Sequence, residues 1–369
     1  MNSVYLKKED CCGCSACYNV CAKQAITMKP DEEGFLYPEI DQGNCVDCGK
    51  CTDICPLTSK GNYKETGIPR FYVARHKAEE VLRQSTSGGA FTAISNLILR
   101  QNGVIYGADY DEDFHVLHQR AETAGQRDRM RISKYVQSDM RDIFTQIKAD
   151  LQEGRKVLFT GTPCQAAGLR GFMAKSRLTD RLYICDLICH SIPSPLIWEE
   201  YKRLLERENG GKLVNVQFRS KKHGWSRANS NKGFLFSTER NPDILQEDDR
   251  FYHLFFTVGA ITRPSCSQCR FTDIHRASDL TIADYWGIEK YSPDWFDPLG
   301  VSVILVNSPK GADLFDQCRQ ELLAEERPKE ESLNEQRRLS ESSQFPKNRS
   351  LFWEDYRHFG FEYVIRKTE

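Results

Sequence analysis

Apolar and polar residues alternate along residues 70–323 in a pattern that predicts strands and helices following one another. Short apolar runs such as FYVAR, VIYGADY and KVLFT have the length and composition of buried strands. Segments with helical periodicity lie between them, including 89–100 and 140–152. After the run LYICDLIC, Ser194 and Pro195 stand at the cap and first-turn positions of a further helix. This alternation predicts an α/β domain with a mixed sheet.

The pattern changes on both sides of this domain. Residues 1–58 form a cysteine-dense module, and residues 59–69 are polar, contain glycine and proline, and predict a linker. Residues 324–369 are interpreted as a C-terminal extension. Its part at 324–350 is rich in Glu, Arg, Ser and Gln, and solvated surface is the favoured interpretation, as a helical extension or a poorly ordered arm.

Composition narrows the class of protein. Lys plus Arg number 51 and Asp plus Glu 52 among 369 residues, so the net charge of -1 gives no reason to expect a nucleic-acid partner. The sequence shows no export signal and no run long enough to span a membrane, which predicts a soluble cytoplasmic protein. Because the cytosol keeps thiols reduced, the 15 cysteines point to metal binding more than to disulfides.

Two cysteine runs repeat the spacing C-x2-C-x2-C-x3-C within the first 58 residues, at Cys11, Cys14, Cys17 and Cys21 and at Cys45, Cys48, Cys51 and Cys55. In bacterial ferredoxins of this spacing, the fourth cysteine of each run binds the other cluster. The first 4Fe-4S cluster is therefore expected at Cys11, Cys14, Cys17 and Cys55, and the second at Cys45, Cys48, Cys51 and Cys21. Zinc sites or disulfides are the alternatives, although zinc normally uses C-x2-C pairs. Cys12 breaks the repeat and is interpreted as a bystander. Alternating apolar residues at 35–40 predict a strand of the small two-hairpin scaffold of such modules.

Four later cysteines form a second group. Cys164 and Cys189 each follow a predicted strand, and Cys266 and Cys269 form a C-x2-C pair. Ligands collect at the carboxyl edge of open α/β sheets, so these thiols could meet there and hold a third cluster. Plain buried thiols at Cys164 and Cys189 are the alternative. The two remaining cysteines are assigned to packing and are Cys185 and Cys318.

Two glycine-containing loops precede predicted helices and could bind an anion or a flavin, because helix starts present free amides. They contain Ser87, Gly88 and Gly89, and Thr160, Gly161 and Thr162. Ordinary capped helix starts are the alternative. Neither loop has the Walker or the G-x-G-x-x-G spacing, which argues against nucleotide hydrolysis and a standard Rossmann site.

Several motifs stand in order along residues 70–307: SGGAF, GTPCQ, CHSIPSP, and CSQCRF followed by DLTIADYWGI. With these motifs, residues 70–307 resemble the coenzyme F-420 hydrogenase and dehydrogenase beta-subunit family. This resemblance implies a flavoprotein with FAD contacts in the two glycine loops. It also implies a third cluster held by Cys164, Cys189, Cys266 and Cys269. His190-Ser191 departs from the His-Gly of many bacterial members. A link to surface-polysaccharide biosynthesis is a further implication of the resemblance.

The resulting hypothesis is an iron–sulfur flavoprotein oxidoreductase that exchanges electrons between a ferredoxin-type carrier and an unidentified small molecule. Side chains considered for proton delivery or anchoring are His190, Lys222, Arg276 and Asp284, with ordinary surface or structural roles as the alternative. Two other hypotheses remain open. The protein could be an electron-relay subunit of a larger hydrogenase or reductase, or part of another oligomer or complex, without its own substrate. Its clusters could instead be structural.

Overall fold

The computed structural model describes residues 4–5, 7–58, 67–230 and 232–368, so most of the predicted linker, 59–66, lies outside the described residues. The cysteine-dense module contains the antiparallel strands β1 (Ile26–Pro30) and β2 (Leu36–Ile40) and the short helices α1 (Ala16–Val20) and α2 (Lys50–Asp53). In the described part of the module there is one hairpin where the sequence predicted two. The second cysteine run forms loops and α2 instead.

The predicted α/β domain with a mixed sheet is confirmed. Eight strands form its main sheet, in the order β13-β3-β12-β11-β7-β6-β4-β5. These strands are β3 (Arg70–His76), β4 (Val104–Tyr110), β5 (Val116–Ala121), β6 (Val157–Gly161), β7 (Leu182–Leu187), β11 (Leu280–Asp284), β12 (Ser302–Val306) and β13 (Leu322–Arg327). The four central strands β11, β7, β6 and β4 are parallel, and the strands beyond them pair antiparallel. Three other strands form a separate antiparallel sheet, β8 (Leu213–Gln217), β9 (Phe234–Thr238) and β10 (Ile244–Gln246).

Helices cover both faces of the main sheet, as a parallel sheet requires. The helices of this part of the chain are α3 (Glu79–Arg83), α4 (Ala90–Arg100), α5 (Ala124–Asp128), α6 (Ile143–Gln152), α7 (Pro163–Met173), α8 (Pro195–Asn209), α9 (Arg250–Tyr252, continued by a π-helix at His253–Val258), α10 (Ile288–Tyr291), α11 (Pro309–Cys318), α12 (Lys329–Glu335), α13 (Arg349–Phe359) and α14 (Phe361–Thr368). One core contains residues of α4 and α11, and another contains residues of α6 and α7. Among the described residues, no helix has the length and apolar character needed to cross a bilayer.

Much of 324–350 is surface, as interpreted, with Glu325 and Glu326 exposed, but the stretch also packs against the domain, since Ser332 and Leu339 are buried. Strand β13 spans the expected boundary and pairs with β3, with Ala324 opposite Ala74. Farther on, α13 buries Trp353 in the core that contains α8. The polar composition did not indicate this strand, because an edge strand needs apolar residues on one face only: Leu322 is buried in β13, whereas Glu325 and Glu326 are exposed.

The cysteine-dense module is joined to the α/β domain by a shared core. Cys12, Cys14 and Ala16 are buried in the same cluster as Phe144 and Leu169, which belong to α6 and α7. At a second point of the module, a Cβ atom on Gly34 would collide with Leu196 at the start of α8. The module is therefore held by direct packing and not by the linker alone.

Candidate functional site

The carboxyl edge of the main sheet organises the candidate site. Strands β6 and β7 are parallel neighbours, with Gly161 opposite Asp186, so the chain leaves both strands at one edge. Cys164 then lies in the first turn of α7, and Cys189 follows the end of β7. The expectation that these two cysteines emerge at neighbouring strand ends agrees with the structure.

The thiols of Cys164, Cys189, Cys266 and Cys269 lie within electrostatic range of one another. Three of them, all but Cys189, line a cavity with an empty volume of about 510 Å³. Burial raises the pKa of Cys266 to about 12, and burial also raises the pKa of Cys189, with the neighbouring thiols adding to both shifts. These four cysteines are half-buried, and each thiol disfavours ionisation of its neighbours. Such a group fits a cationic cluster, because thiolates become stable when they bind metal.

The first ferredoxin site has a similar form. Cys11, Cys14, Cys17 and Cys55 line one cavity, and Cys12 lines it as well. Burial raises the pKa of Cys17, and Cys11 and Cys55 raise it further. The ligand set predicted from spacing therefore surrounds one space.

The second ferredoxin site is closer to solvent. Cys48 is exposed, and Cys21, Cys45 and Cys51 are half-buried. All 15 cysteines carry free thiols. Within the described residues, no three His, Cys, Asp or Glu side chains converge on a single metal ion.

Cys12, interpreted from the sequence as a bystander, connects the first site to the later cysteine group. Its side chain is buried, and its thiol interacts with the thiols of both Cys14 and Cys164. It also lines the cavity of the later group together with Cys164. The two cysteine sites are therefore contiguous, with Cys12 at their junction.

The loop containing Ser87, Gly88 and Gly89 is largely occupied by contacts within the protein. The Gly88 amide donates to Ser302 Oγ at 2.9 Å, and a Cβ atom on Gly88 would lie 2.6 Å from the Ala74 carbonyl oxygen. Ser87 Oγ donates to the Val301 carbonyl at 2.8 Å. Close packing against β3 and β12 is thus sufficient to explain Gly88.

The second glycine loop caps α7. Thr162 provides a capping box with Gln165, whose side-chain oxygen accepts from the Thr162 amide at 2.9 Å. Thr162 Oγ1 lies 3.2 Å from Cys164 Sγ. Thr160 Oγ1 donates to the Tyr106 carbonyl at 3.2 Å, and Gly161 is buried at the end of β6. This loop positions Cys164.

Arg276 has a structural arrangement. Its guanidinium is buried, pairs with Asp186 at 3.1 Å and donates to the carbonyl oxygens of Phe271, Asp273 and Leu187. These bonds tie the segment after Cys269 to the end of β7. Arg276 thereby fixes the spacing of two parts of the later cysteine group.

The structure separates Lys222 from the other candidates. Lys222 is exposed, whereas the neighbouring Lys221 is turned inward and donates to the Ser87 carbonyl at 2.7 Å. Asp284, at the end of β11, accepts from Trp225 Nε1 at 2.6 Å and from Arg219 at 3.2 Å. The sequence offered no signal to choose Lys221 over Lys222, because strand alternation does not extend beyond β8.

His190 lies against aromatic rings of the segment after α9. Its ring centroid is 5.5 Å from that of Phe255 and 5.2 Å from that of Phe256. Burial lowers the pKa of His190 to about 4, so the imidazole is neutral near pH 7. Its backbone carbonyl accepts from Ser343 of the C-terminal region.

Three buried polar atoms near this edge lack a hydrogen-bond partner among the described residues: Tyr110 Oη, His118 Nδ1 and Tyr252 Oη. The Tyr110 and Tyr252 hydroxyls lie within electrostatic range of each other, and Tyr135 packs on Tyr252 at 5.7 Å between ring centroids. Buried polar atoms are seldom left unpaired in proteins. Their grouping fits a polar ligand bound here.

Comparison with known proteins agrees with the fold and with the cysteine-dense module. Residues 154–332 match the family described as the C terminus of the coenzyme F420 hydrogenase/dehydrogenase beta subunit, and residues 10–59 match a 4Fe-4S dicluster domain. An uncharacterized ferredoxin of Methanocaldococcus jannaschii is 36% identical over 56 residues, which are 15% of this chain and 71% of that protein. A chain of the F420-reducing NiFe hydrogenase complex from Methanosarcina barkeri, solved as a xenon derivative, aligns with a TM-score of 0.50 at 17% identity. That alignment covers 82% of this chain and 96% of the other and shows a shared fold.

The fold and the dicluster module define an iron–sulfur electron-transfer protein of the oxidoreductase class. Within that class, the chain belongs to the coenzyme F420 hydrogenase/dehydrogenase beta-subunit family.

We expect Gly168→Ala to disturb the first ferredoxin site. An added Cβ would lie 2.8 Å from Cys14 Sγ, so either α7 or the cysteine loop must move. Iron analysis should show a loss of about four irons per chain, the content of one 4Fe-4S cluster. Gly125→Ala is the matched control, because it also lies in a helix but its added Cβ meets no atom within 4 Å. Full iron content in Gly168→Ala would contradict the close packing of Cys14 against Gly168.

Proposed function

We propose that this chain conducts electrons between an external low-potential carrier, such as a ferredoxin, and a small-molecule substrate at the carboxyl edge of the main sheet. The observation that carries the proposal is the junction at Cys12, whose thiol interacts with Cys14 on one side and Cys164 on the other. This contact makes the module and the sheet edge one continuous path. The exposed second cluster site is the end that an external carrier can approach.

The later cysteine group is proposed to hold a third 4Fe-4S cluster, with Cys164, Cys189, Cys266 and Cys269 as ligands. The shared burial and mutual pKa effects of these thiols support this ligand set. Arg276 positions the group by linking the segment after Cys269 to β7. The reducing cytoplasm is the compartment we assign, because free thiols and exposed clusters persist there.

FAD is the proposed cofactor at the sheet edge, where it would couple one-electron to two-electron chemistry. The unpartnered hydroxyls of Tyr110 and Tyr252 support a polar ligand in this position. Thr160, Gly161 and Thr162 border the same edge, and Ser87, Gly88 and Gly89 are proposed as further contacts despite the bond between Gly88 and Ser302. His190 and Asp284 are the candidates for substrate contact, since Lys222 is exposed and the donors of Arg276 bind protein atoms.

The relay-subunit hypothesis stays as the second candidate. The similar chain of known structure belongs to a hydrogenase complex, and the alignment with it covers 82% of this chain. In that case, the substrate would lie on a partner protein. A role in surface-polysaccharide biosynthesis is compatible with either candidate and has no support from the contacts described above.

Cofactor analysis tests the proposal directly. Anaerobically purified protein should contain about twelve irons and about one FAD per chain, as three 4Fe-4S clusters and one flavin require. Cys189→Ser should lose about four irons, because one thiolate of the third cluster is missing. Cys318→Ser is the matched control, since its buried thiol donates to the Phe315 carbonyl and lies in the α11 core. About eight irons without flavin in the wild type would refute both the third cluster and the flavin site.

Tyr252→Phe should separate a ligand-binding hydroxyl from a structural one. In the flavin-free protein, this change should be neutral or stabilising, because it removes a buried hydroxyl with no partner among the described residues. Flavin affinity should fall at least about fivefold, the equivalent of one hydrogen bond. The measurements are chemical unfolding and flavin titration.

Tyr201→Phe is the control for this experiment. The Tyr201 hydroxyl donates to Asp249 at 2.6 Å, so its removal should destabilise the protein by about 1 kcal/mol and leave flavin affinity unchanged. If Tyr252→Phe instead lowers stability as much as Tyr201→Phe and leaves flavin binding intact, the Tyr252 hydroxyl does not contact a flavin.

A further inference from the structure

Arg263 is a buried cation between the first ferredoxin site and the later cysteine group. It is 1% exposed, and it stands three residues before Cys266. Its Nε donates to the Cys11 carbonyl at 2.9 Å, and one terminal nitrogen lies 3.7 Å from Cys11 Sγ. The same nitrogen donates to the Leu36 carbonyl at 3.0 Å. The side chain therefore reaches from the α/β domain into the module.

The guanidinium has no anionic partner among the described residues. Its other terminal nitrogen donates to the neutral Gln137 Oε1 at 2.8 Å, and its carbon lies 4.3 Å from the centroid of the Tyr37 ring. No carboxylate of the described residues forms an ion pair or hydrogen bond with it. A buried cation without a counter-charge is strongly disfavoured. The nearest group that can supply negative charge is the sulfur of Cys11.

We propose that Arg263 is the counter-charge of the first ferredoxin cluster and sets its reduction potential. Cysteine thiolates make a 4Fe-4S site anionic, and one-electron reduction adds a further negative charge. A fixed positive charge and an N–H donor at a cluster sulfur favour the reduced form. Arg263 thus raises the potential of the first cluster, which favours electron transfer inward from the exposed second cluster.

The nearby glycine and glutamine preserve this arrangement. A Cβ atom on Gly13 would lie 2.8 Å from a terminal nitrogen of Arg263 and 2.7 Å from Gln137 Nε2. Gln137 in turn donates to the Cys12 carbonyl at 3.3 Å. The guanidinium is therefore held at a defined position against the cysteine loop. Arg263 compensates charge and positions the loop, and it is not a substrate-contacting residue.

The test is an anaerobic redox titration of the full-length, cluster-loaded protein, followed by electron paramagnetic resonance. In Arg263→Gln, the reduced-to-oxidised ratio of the first cluster at a given potential should fall at least tenfold, a shift of about 59 mV to more negative potential. Arg263→Lys keeps the charge and should retain most of the potential. The Cys48→Ser variant is titrated in parallel to assign the signals to the two clusters, because this change alters the second cluster.

Gln137→Glu provides a second variant in case Arg263→Gln fails to load its clusters. It keeps the shape of Gln137 and gives Arg263 a carboxylate partner, so the first cluster should again shift to more negative potential. Arg270→Gln is the control for a general charge effect, because Arg270 is exposed and donates to the Leu57 carbonyl, and among the described residues it has no hydrogen bond to a cysteine of the first site. An unchanged first-cluster potential in loaded Arg263→Gln or Gln137→Glu, or an equal shift in Arg270→Gln, would overturn the proposal. The outcome does not depend on the third cluster or on flavin.

Discussion

The packing of the first cysteine loop against α7 is the contact on which the positions of the two cysteine sites depend. Cys14 approaches Gly168 so closely that one added methyl group on the helix would collide with its sulfur. On the other side of the loop, Arg263 and Gln137 leave room only for a glycine at Gly13. This double contact fixes the module on the domain and sets the distance between the two cysteine sites.

The main sheet supplies the second half of the arrangement. Its parallel central strands deliver Cys164, Cys189 and Asp284 to one edge, and the antiparallel strand β12 brings Ser302 to the same edge. The Arg276 bonds then draw the C-x2-C segment towards β7. Cys48 is exposed, Cys12 and Cys14 are buried, and the later cysteine group continues from Cys12 to the sheet edge.

Sequence reasoning worked where spacing or periodicity carries the information. The four thiols that the cysteine repeat grouped together share the first cavity, although Cys12 lines it too, and apolar runs located the strands that lead to Cys164 and Cys189. It failed where a long-range contact decides the role of a residue. Cys12 looked like an irregularity in a repeat because its partner Cys164 is 152 positions away. Arg263 stood beside the C-x2-C pair, yet nothing in the sequence indicated that its side chain extends to Cys11. Polar residues at 324–350 concealed an edge strand for a similar reason.

The central claim is that electrons reach the sheet edge through the first ferredoxin cluster. The most direct measurement compares Cys14→Ala with Cys318→Ala in anaerobic stopped-flow reduction, using either reduced ferredoxin or dithionite as donor. The account predicts that Cys14→Ala loses ferredoxin-driven reduction of the sheet-edge cofactor but keeps its direct reduction by dithionite, whereas Cys318→Ala keeps both. Unchanged ferredoxin-driven reduction in Cys14→Ala would contradict it.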